Sequence, residues 1–261
     1  VAFEVTITGS GTSQGVPIIG REYPDAFLAN PKNHRMRPAA LVQTDQVQIA
    51  IDTPPEFRLQ MLAAGVRQID AVLFTHAHAD HIMGLDDCRR FCEMRDGQPL
   101  PLYARAKTMG FLRQVFAYAF GEGEKSPTYL IPDPQEFDGP FELGDLLITP
   151  LPLPHGSMGS DGFLFEQDGE KLLAYCTDCK EVPDAVIDRI SGVRCVVLDA
   201  LRKSEHWTHM SLDEALTAAR RIRAGRTVLT HLTDHYDHDV DQAELPPGVE
   251  LAYDGLKIQL P

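Results

Sequence analysis

The sequence predicts a mixed α/β fold in which sheets are covered by helices. Three observations predict it. The short run Val72-Leu73-Phe74 is apolar at consecutive positions, as a strand buried on both faces is. Stretches with helical punctuation are interspersed among the strand-like runs rather than strictly alternating with them, which argues against a simple doubly wound sheet. The 261 residues are 43% hydrophobic and 24% charged, an ordinary globular mixture long enough to bury a full core without staples.

Apolar and polar positions alternate over residues 3–8, an opening strand that runs into the glycine-rich stretch 9–15. Residues 21–38 are polar and proline-bearing and read as a long loop. Strands over 40–44 and 47–51 pair as a hairpin turning at Asp45-Gln46. Pro54-Pro55 opens a helix through Ala64, and Gly65 stops it. Further strands are expected over 72–74, 101–103, 146–149, 162–166, 171–175, 195–199, 227–229, 249–252 and 257–260. Helices are expected over 84–93, 107–120, 183–190 and 211–223, the last opened by Ser211 with Glu214 three residues on, a capping box. Residues 121–138, with their Gly, Pro and charges, read as a surface excursion. No linker or repeat divides the chain, so residues 1–261 are taken as one domain.

The net charge is −14. General nucleic-acid binding depends on clustered Lys and Arg, so no nucleic-acid partner is expected, although a basic pocket for one phosphate is compatible. Five cysteines are too few for a disulfide scaffold, and a reducing, cytoplasmic setting is expected. The opening Val1-Ala2-Phe3-Glu4-Val5 has no basic region or long apolar run, so no signal peptide is expected; no stretch approaches the ~20 apolar residues of a membrane span, so no membrane partner is expected either.

The chemistry is concentrated in Thr75-His76-Ala77-His78-Ala79-Asp80-His81, directly after the buried run 72–74. A tight turn at a strand's end lets side chains converge. Imidazoles and a carboxylate, with no thiolate, suit Zn, Mn or Fe. A lone histidine in a loop is most simply solvated. Three in His-x-His-x-Asp-His order behind an apolar strand are not.

His76-Ala77-His78-Ala79-Asp80-His81 resembles the His-x-His-x-Asp-His motif of the metallo-β-lactamase superfamily. The resemblance implies an αββα four-layer sandwich and two divalent metal ions, Zn or Mn. It implies further ligands downstream, which the chain supplies in order at the ends of β-rich runs: His155, Asp178 and His231. In the superfamily pattern His76, His78 and His155 hold one metal, Asp80, His81 and His231 the second, and Asp178 bridges them; a hydroxide shared by the metals attacks the substrate.

Finer features resemble the phosphodiesterase branch of the superfamily that serves the carbon–phosphorus lyase pathway of phosphonate metabolism, the PhnP-like enzymes. These are the opening Thr8-Gly9-Ser10-Gly11-Thr12-Ser13-Gln14-Gly15-Val16-Pro17, the segment His206-Trp207-Thr208-His209-Met210-Ser211, and the close Tyr253-Asp254-Gly255-Leu256-Lys257-Ile258. The resemblance implies hydrolysis of a small cyclic phosphodiester, a phosphoribosyl 1,2-cyclic phosphate or a 2′,3′-cyclic nucleotide. His209 would be the general acid, with His206 a rival, and Asp80 would also orient the nucleophile. Homodimers are common in this fold. Some members hold a structural zinc with cysteines after the glycine loop; residues 20–27 contain none, and no such zinc is expected.

Alternatives are a transfer-RNA 3′-processing endonuclease of the same fold, a thioester or lactam hydrolase, and a non-catalytic metal-binding protein. Other features have plainer readings. The glycine-rich stretch 9–15 lacks a P-loop lysine and reads equally as a tight turn under the metal site. Cys176-Thr177-Asp178-Cys179 reads as an incidental Cys-x-x-Cys, and Cys88 and Cys92 as core. Arg89, Arg90 and Arg95 read as a solvated helix face, and His34, His235 and His238 as exposed.

Overall fold

The computed structural model describes residues 3–121, 123, 126 and 128–261. The first sheet is formed by β1 (Glu4–Gly9), β2 (Ala39–Gln43), β3 (Gln48–Ile51), β4 (Ala71–Leu73), β5 (Leu100–Ala104) and β6 (Pro132–Glu136), with the last strand of the chain alongside β1. The second is formed by β7 (Phe141–Leu143), β8 (Leu146–Leu153), β9 (Ser160–Gln167), β10 (Glu170–Cys176), β11 (Cys195–Asp199), β12 (Arg226–Thr230) and β13 (Val249–Leu251). That last strand, β14 (Leu256–Gln259), gives the first sheet the order β14-β1-β2-β3-β4-β5-β6; the second runs β13-β12-β11-β10-β9-β8-β7.

Each sheet is antiparallel in one half and parallel in the other. β1 to β3 pair antiparallel and β3 to β6 parallel; β7 to β10 pair antiparallel and β10 to β13 parallel. Successive side chains on a strand point to opposite faces. Thus Ile49 and Ile51 of β3, Leu73 of β4 and Val197 of β11 enter the core between the sheets. Ala50 and Val72 face a second core shared with Phe57, Met61, Phe91, Met109 and Leu112, and Val196 and Leu198 a third shared with Ile187, Ile190, Ala215 and Ile222. Both faces of the central strands are covered, which is why they read as unbroken apolar runs. Helix, sheet, sheet and helix form the four layers of the αββα sandwich.

The expected strands are present. β6 and β7 were not foreseen: Pro132-Asp133-Pro134-Gln135-Glu136 carries no apolar alternation, and prolines are tolerated there because β6 is an edge strand. It lies within the segment read as a surface excursion, whose residues 122, 124, 125 and 127 are outside the described residues.

The helix expected over 84–93 is broken up. A helical turn already begins at the motif itself (Ala79–Ile82), followed by a 3-10 turn (Leu85–Cys88) and a helix (Arg89–Met94). The helix expected over 107–120 divides at Phe116 into Ala106–Val115 and Ala117–Phe120. The capping box at Ser211 is formed, with its side chain accepting from the Glu214 N–H and the Glu214 carboxylate accepting from the Ser211 N–H.

The loop over 21–38 contains a short helix (Asp25–Ala29) and a 3-10 turn (Pro31–Asn33), and it is clasped to the segment after β12. The Tyr23 hydroxyl donates to Asp234 at 2.8 Å, the Asn33 amide donates to Asp237, and the His238 N–H donates to the Asn33 Oδ1 at 2.7 Å. The Arg35 guanidinium, 1% exposed, donates to the Asn33 side chain and the Tyr236 carbonyl.

Candidate metal centre

The residues of the centre sit where strands end. Asp52 follows β3, His76 follows β4 by three residues, His155 follows β8, Asp178 follows β10, Asp199 closes β11 and His231 follows β12. In open sheets with parallel strands, the carboxyl ends are where ligands collect. Three of these residues bend the chain sharply: Asp52, Asp178 and His231 have φ of 63°, 55° and 61°, the left-handed region that non-glycine residues rarely adopt. The turn swings each side chain off the strand axis and into the gap between the two sheets' ends.

Four overlapping groups of donor atoms result among the described residues; two of them, His155, Asp178 and His209, and Asp199, His209 and His231, include His209, and the other two do not. His76, His78 and His155 form one; Asp80, His81, Asp178 and His231 form the other, and within each group the donor atoms all lie within 4.8 Å of one another. In the first, His78 Nδ1 is 2.8 Å from His76 Nε2 and 3.2 Å from His155 Nε2. In the second, the His81 Nε2 is 3.2 Å from Asp80 and 3.3 Å from Asp178, while the His231 Nε2 is 3.2 Å from Asp178 and 3.8 Å from Asp80. Asp178 Oδ1, the oxygen that faces His231, is also 4.0 Å from His76 Nε2, while Oδ2 faces His81, so this carboxylate stands between the groups.

The ring orientations are set from behind. The Asp52 carboxylate, fully buried, is 2.7 Å from His81 Nδ1 and accepts from the Thr75 N–H and hydroxyl. His155 Nδ1 donates to the Thr208 carbonyl at 3.1 Å. Both contacts turn Nε2 toward the centre.

Electrostatics separate the groups. Burial pushes His76, His78 and His155 below the ordinary imidazole range, so they are neutral donors at neutral pH. Burial also opposes charge on His81 and His231, but Asp178 and Asp80 outweigh it; His231 is carried up to about 10, and His81 well above its ordinary value. Burial works against charge on Asp178 too, yet His231 and His81 hold it well below the carboxylate range.

Divalent metals fit this arrangement. The Nε2 atoms of His81 and His231 are buried and, although close to Asp80 and Asp178, make no well-aligned hydrogen bond among the described residues, which leaves them free to direct a lone pair at a metal ion. Imidazole nitrogens and carboxylates without thiolates are the donor set of Zn, Mn or Fe.

Beside the two groups stands His209. Its Nδ1 is 2.6 Å from the Asp199 carboxylate, which also accepts from the Cys179 N–H, so Nδ1 carries the proton and Nε2 is left for the cavity. The ring stacks on His231 at 4.7 Å and meets His155 edge-on at 4.7 Å. The cavity over the centre, about 310 Å³, is lined by Ser13, His78, Asp80, His155, Asp178, Trp207 and His209 among others. Trp207 is 79% exposed at its rim. His206 lies 5.2 Å from His209 and lines a neighbouring cavity, not this one.

A family profile described as a β-lactamase superfamily domain matches residues 48–232. The chain belongs to the β-lactamase superfamily. Within the superfamily it is similar to a protein described as a new diphosphatase from the PhnP family. The two share 36% of their residues, superpose with a TM-score of 0.91, and cover 100% of this chain and 98% of that one. It is 34% identical to an octanoyltransferase of Porphyromonas gingivalis over 96% of this chain and 50% of that protein. It is 28% identical to a ribonuclease Z of Bradyrhizobium diazoefficiens over 55% of this chain and 48% of that protein. The chain thus spans about half the length of these two curated relatives. The chain thus has the metallo-β-lactamase fold and is related to the PhnP-family diphosphatase. Among the described residues, no helix is long and apolar enough to cross a membrane.

The structure brings His76, His78, Asp80, His81, His155, Asp178 and His231 together, with His209 alongside. Asp52 and Asp199 were missed by sequence reasoning. Each is a carboxylate closing an apolar strand, the same signal that Asp178 gives. The glycine stretch is a packed turn: a Cβ on Gly9 would lie 1.8 Å from the Arg37 carbonyl, and Ser13 from this turn lines the cavity. Cys88, Cys92, Cys176 and Cys179 are buried and packed in the outer cores. Arg89 and Arg90 pair with Asp86 and Glu93 on an exposed face, and Arg95 is half-buried. His34 and His235 are exposed, but His238 is 3% exposed, held inside the clasp rather than in solvent.

Proposed function

We propose that the chain is a phosphodiesterase acting on a small cyclic phosphodiester, a phosphoribosyl 1,2-cyclic phosphate or a 2′,3′-cyclic nucleotide. The observation that carries the reading is His209. A histidine backed by a buried carboxylate, beside the donor groups and facing the cavity, is placed to give a proton to a departing oxygen. Lactam and thioester hydrolysis leave it without an evident task.

His76, His78 and His155, and Asp80, His81 and His231, with Asp178 between, would hold two divalent ions, Zn or Mn, which when bound neutralise charge on phosphoryl oxygens and lower the pKa of water. Thr208 and Asp52 fix the rings of His155 and His81 for that task. Water's oxygen forms the new bond to phosphorus as the bond to the alkoxide breaks. The electron pair stays on the departing oxygen, which takes the proton of His209 Nε2, and the proton lost by water passes to solvent. Asp199 stabilises the imidazolium form that precedes this transfer. Asp80, at the cavity wall, also orients the attacking water.

The similarity to ribonuclease Z favours a second reading, RNA 3′-end cleavage. The net charge of −14 argues against a long polyanion as substrate, and in favour of a small one.

The test is phosphorus NMR of Mn- or Zn-loaded protein with 5-phosphoribosyl 1,2-cyclic phosphate and, beside it, a 2′,3′-cyclic nucleotide. Ring opening that stops on chelation is expected. His209→Ala is expected to slow it by about 10²–10⁴-fold at unchanged metal content. No opening of either compound by metal-loaded protein would overturn the reading.

A further inference from the structure

Behind His209 lies a second cavity of about 250 Å³. His209 and Ser13 line both cavities, so the histidine is the partition between them. The second is lined by Gln14, Arg21, Arg202, His206 and His235. Its one carboxylate among the described lining residues, Asp234, is already engaged. It lies 2.8 Å from the Arg21 guanidinium and accepts from the Tyr23 hydroxyl. Arg202 is pinned to the wall by the Ser204 and Glu205 carbonyls, which accept from its Nε and Nη2. In a chain of net charge −14, two guanidiniums against one carboxylate leave the described lining of this small cavity net positive, with the Arg202 guanidinium unpaired by any carboxylate of that lining.

We infer that this cavity receives the part of the substrate that bears the departing oxygen and selects a substrate in which that part carries a second phosphate. The inference rests on the phosphodiesterase reading, because it is the proton of His209 that defines the departing side. With phosphorus over the donor groups and the departing oxygen at His209, the rest of that part extends past the partition into the second cavity. The guanidinium of Arg202 and the rings of His206 and His235 offer the N–H donors that a phosphate dianion accepts. The bond that breaks is the one between phosphorus and the departing oxygen. The phosphate recognised here is a second one: carried on a sugar it is unchanged by the reaction, and directly attached, as in a diphosphate, it keeps the departing oxygen with its electron pair and the proton from His209 and leaves as a monophosphate.

The experiment compares three substrates with the metal-loaded protein. ADP-ribose has a diphosphate, 5-phosphoribosyl 1,2-cyclic phosphate carries its second phosphate on the sugar, and bis(p-nitrophenyl) phosphate has a departing half without one. In Arg202→Gln, kcat/KM for a phosphorylated substrate relative to bis(p-nitrophenyl) phosphate is expected to fall by about tenfold or more, mainly through KM, with Arg202→Lys recovering part. Whichever phosphorylated substrate shows the loss identifies where the second phosphate is attached. Ribose 5-phosphate, titrated calorimetrically, is expected to bind wild type about tenfold or more tighter than Arg202→Gln. Equal losses for all three substrates, or an unchanged ribose 5-phosphate affinity, would overturn the inference. If wild type opens no diester while ribose 5-phosphate still binds through Arg202, the phosphodiesterase reading fails and the anion site stands. Arg21→Gln is the second variant, read in the same way.

Discussion

Asp52 shows how much of the centre depends on a residue that touches no donor group's open face. Its two oxygens are spent on Thr75 and on His81 Nδ1. Burial alone pushes its carboxyl up, and the His81 ring opposes that. Asp52→Asn keeps the shape but replaces one acceptor with a donor, leaving the His81 Nδ1 proton without its carboxylate. Metal affinity, measured by chelator competition, is expected to fall about 10–100-fold. An unchanged affinity would mean that Thr75, whose hydroxyl is 3.4 Å from His81 Nδ1, orients the ring unaided. The same logic explains what could be read from residues alone. His76 to His81 announce themselves because four potential ligands crowd six positions. Asp52 and Asp199 do not: one carboxylate closing an apolar strand looks the same whether it faces water or a histidine.

At the scale of elements, the motif is held by its packing against the turn before the Phe57–Ala63 helix. The Thr53 N–H donates to the His81 carbonyl, and the Gly84 N–H to the Thr53 carbonyl. A Cβ on Gly84 would lie 2.1 Å from the Pro54 carbonyl and 2.8 Å from the Phe57 Cβ. Gly84→Ala is therefore expected to destabilise the fold by about 1–3 kcal/mol or more, read by urea unfolding, as the two segments are forced apart. A stability equal to wild type would show that the turn yields freely. The short turn Ala79–Ile82 was not legible in the sequence because its start lacks a side-chain cap, so the later Gly84 stood in for the beginning of the helix. The Ser211 helix was legible because both halves of its cap are written in the chain. The β6 edge strand hid behind its prolines, and β7 is three residues long.

For the whole molecule, the clasp between residues 21–38 and 234–242 joins the first sheet's loop to the second sheet's end and forms one wall of the cavity beyond His209. His238 is locked inside it. Burial, with Lys32 and Arg35 adding, pushes its imidazole from 6.5 down to about 4. The folded chain keeps this ring neutral while the unfolded chain protonates it near 6.5, so between those values the unfolded state binds more protons. This contribution to stability is present above pH 6.5 and is lost as pH falls toward 4, by up to about 3 kcal/mol. His238→Gln is expected to flatten that part of the profile: the difference in unfolding free energy between wild type and variant should change across this window and be constant above it. A constant difference throughout would place His238 in contact with water. The four layers themselves were legible, because strands buried on both faces leave consecutive apolar residues. The clasp was not, because its strength comes from side-chain pairs some two hundred positions apart.

The chain has a single tryptophan, and it stands at the cavity rim, 79% exposed. Its indole is already in water when the protein is folded, so unfolding changes its surroundings little. Tryptophan fluorescence is then nearly blind to the folding transition, and denaturation has to be followed by circular dichroism. Excited at the red edge, where the seven tyrosines absorb little, the same emission is an optical signal for anything that covers the rim. Occupancy of the cavity can be titrated by quenching or a blue shift whether or not the bound molecule is cleaved. A large emission change on urea unfolding, with none on ligand addition, would place the indole elsewhere.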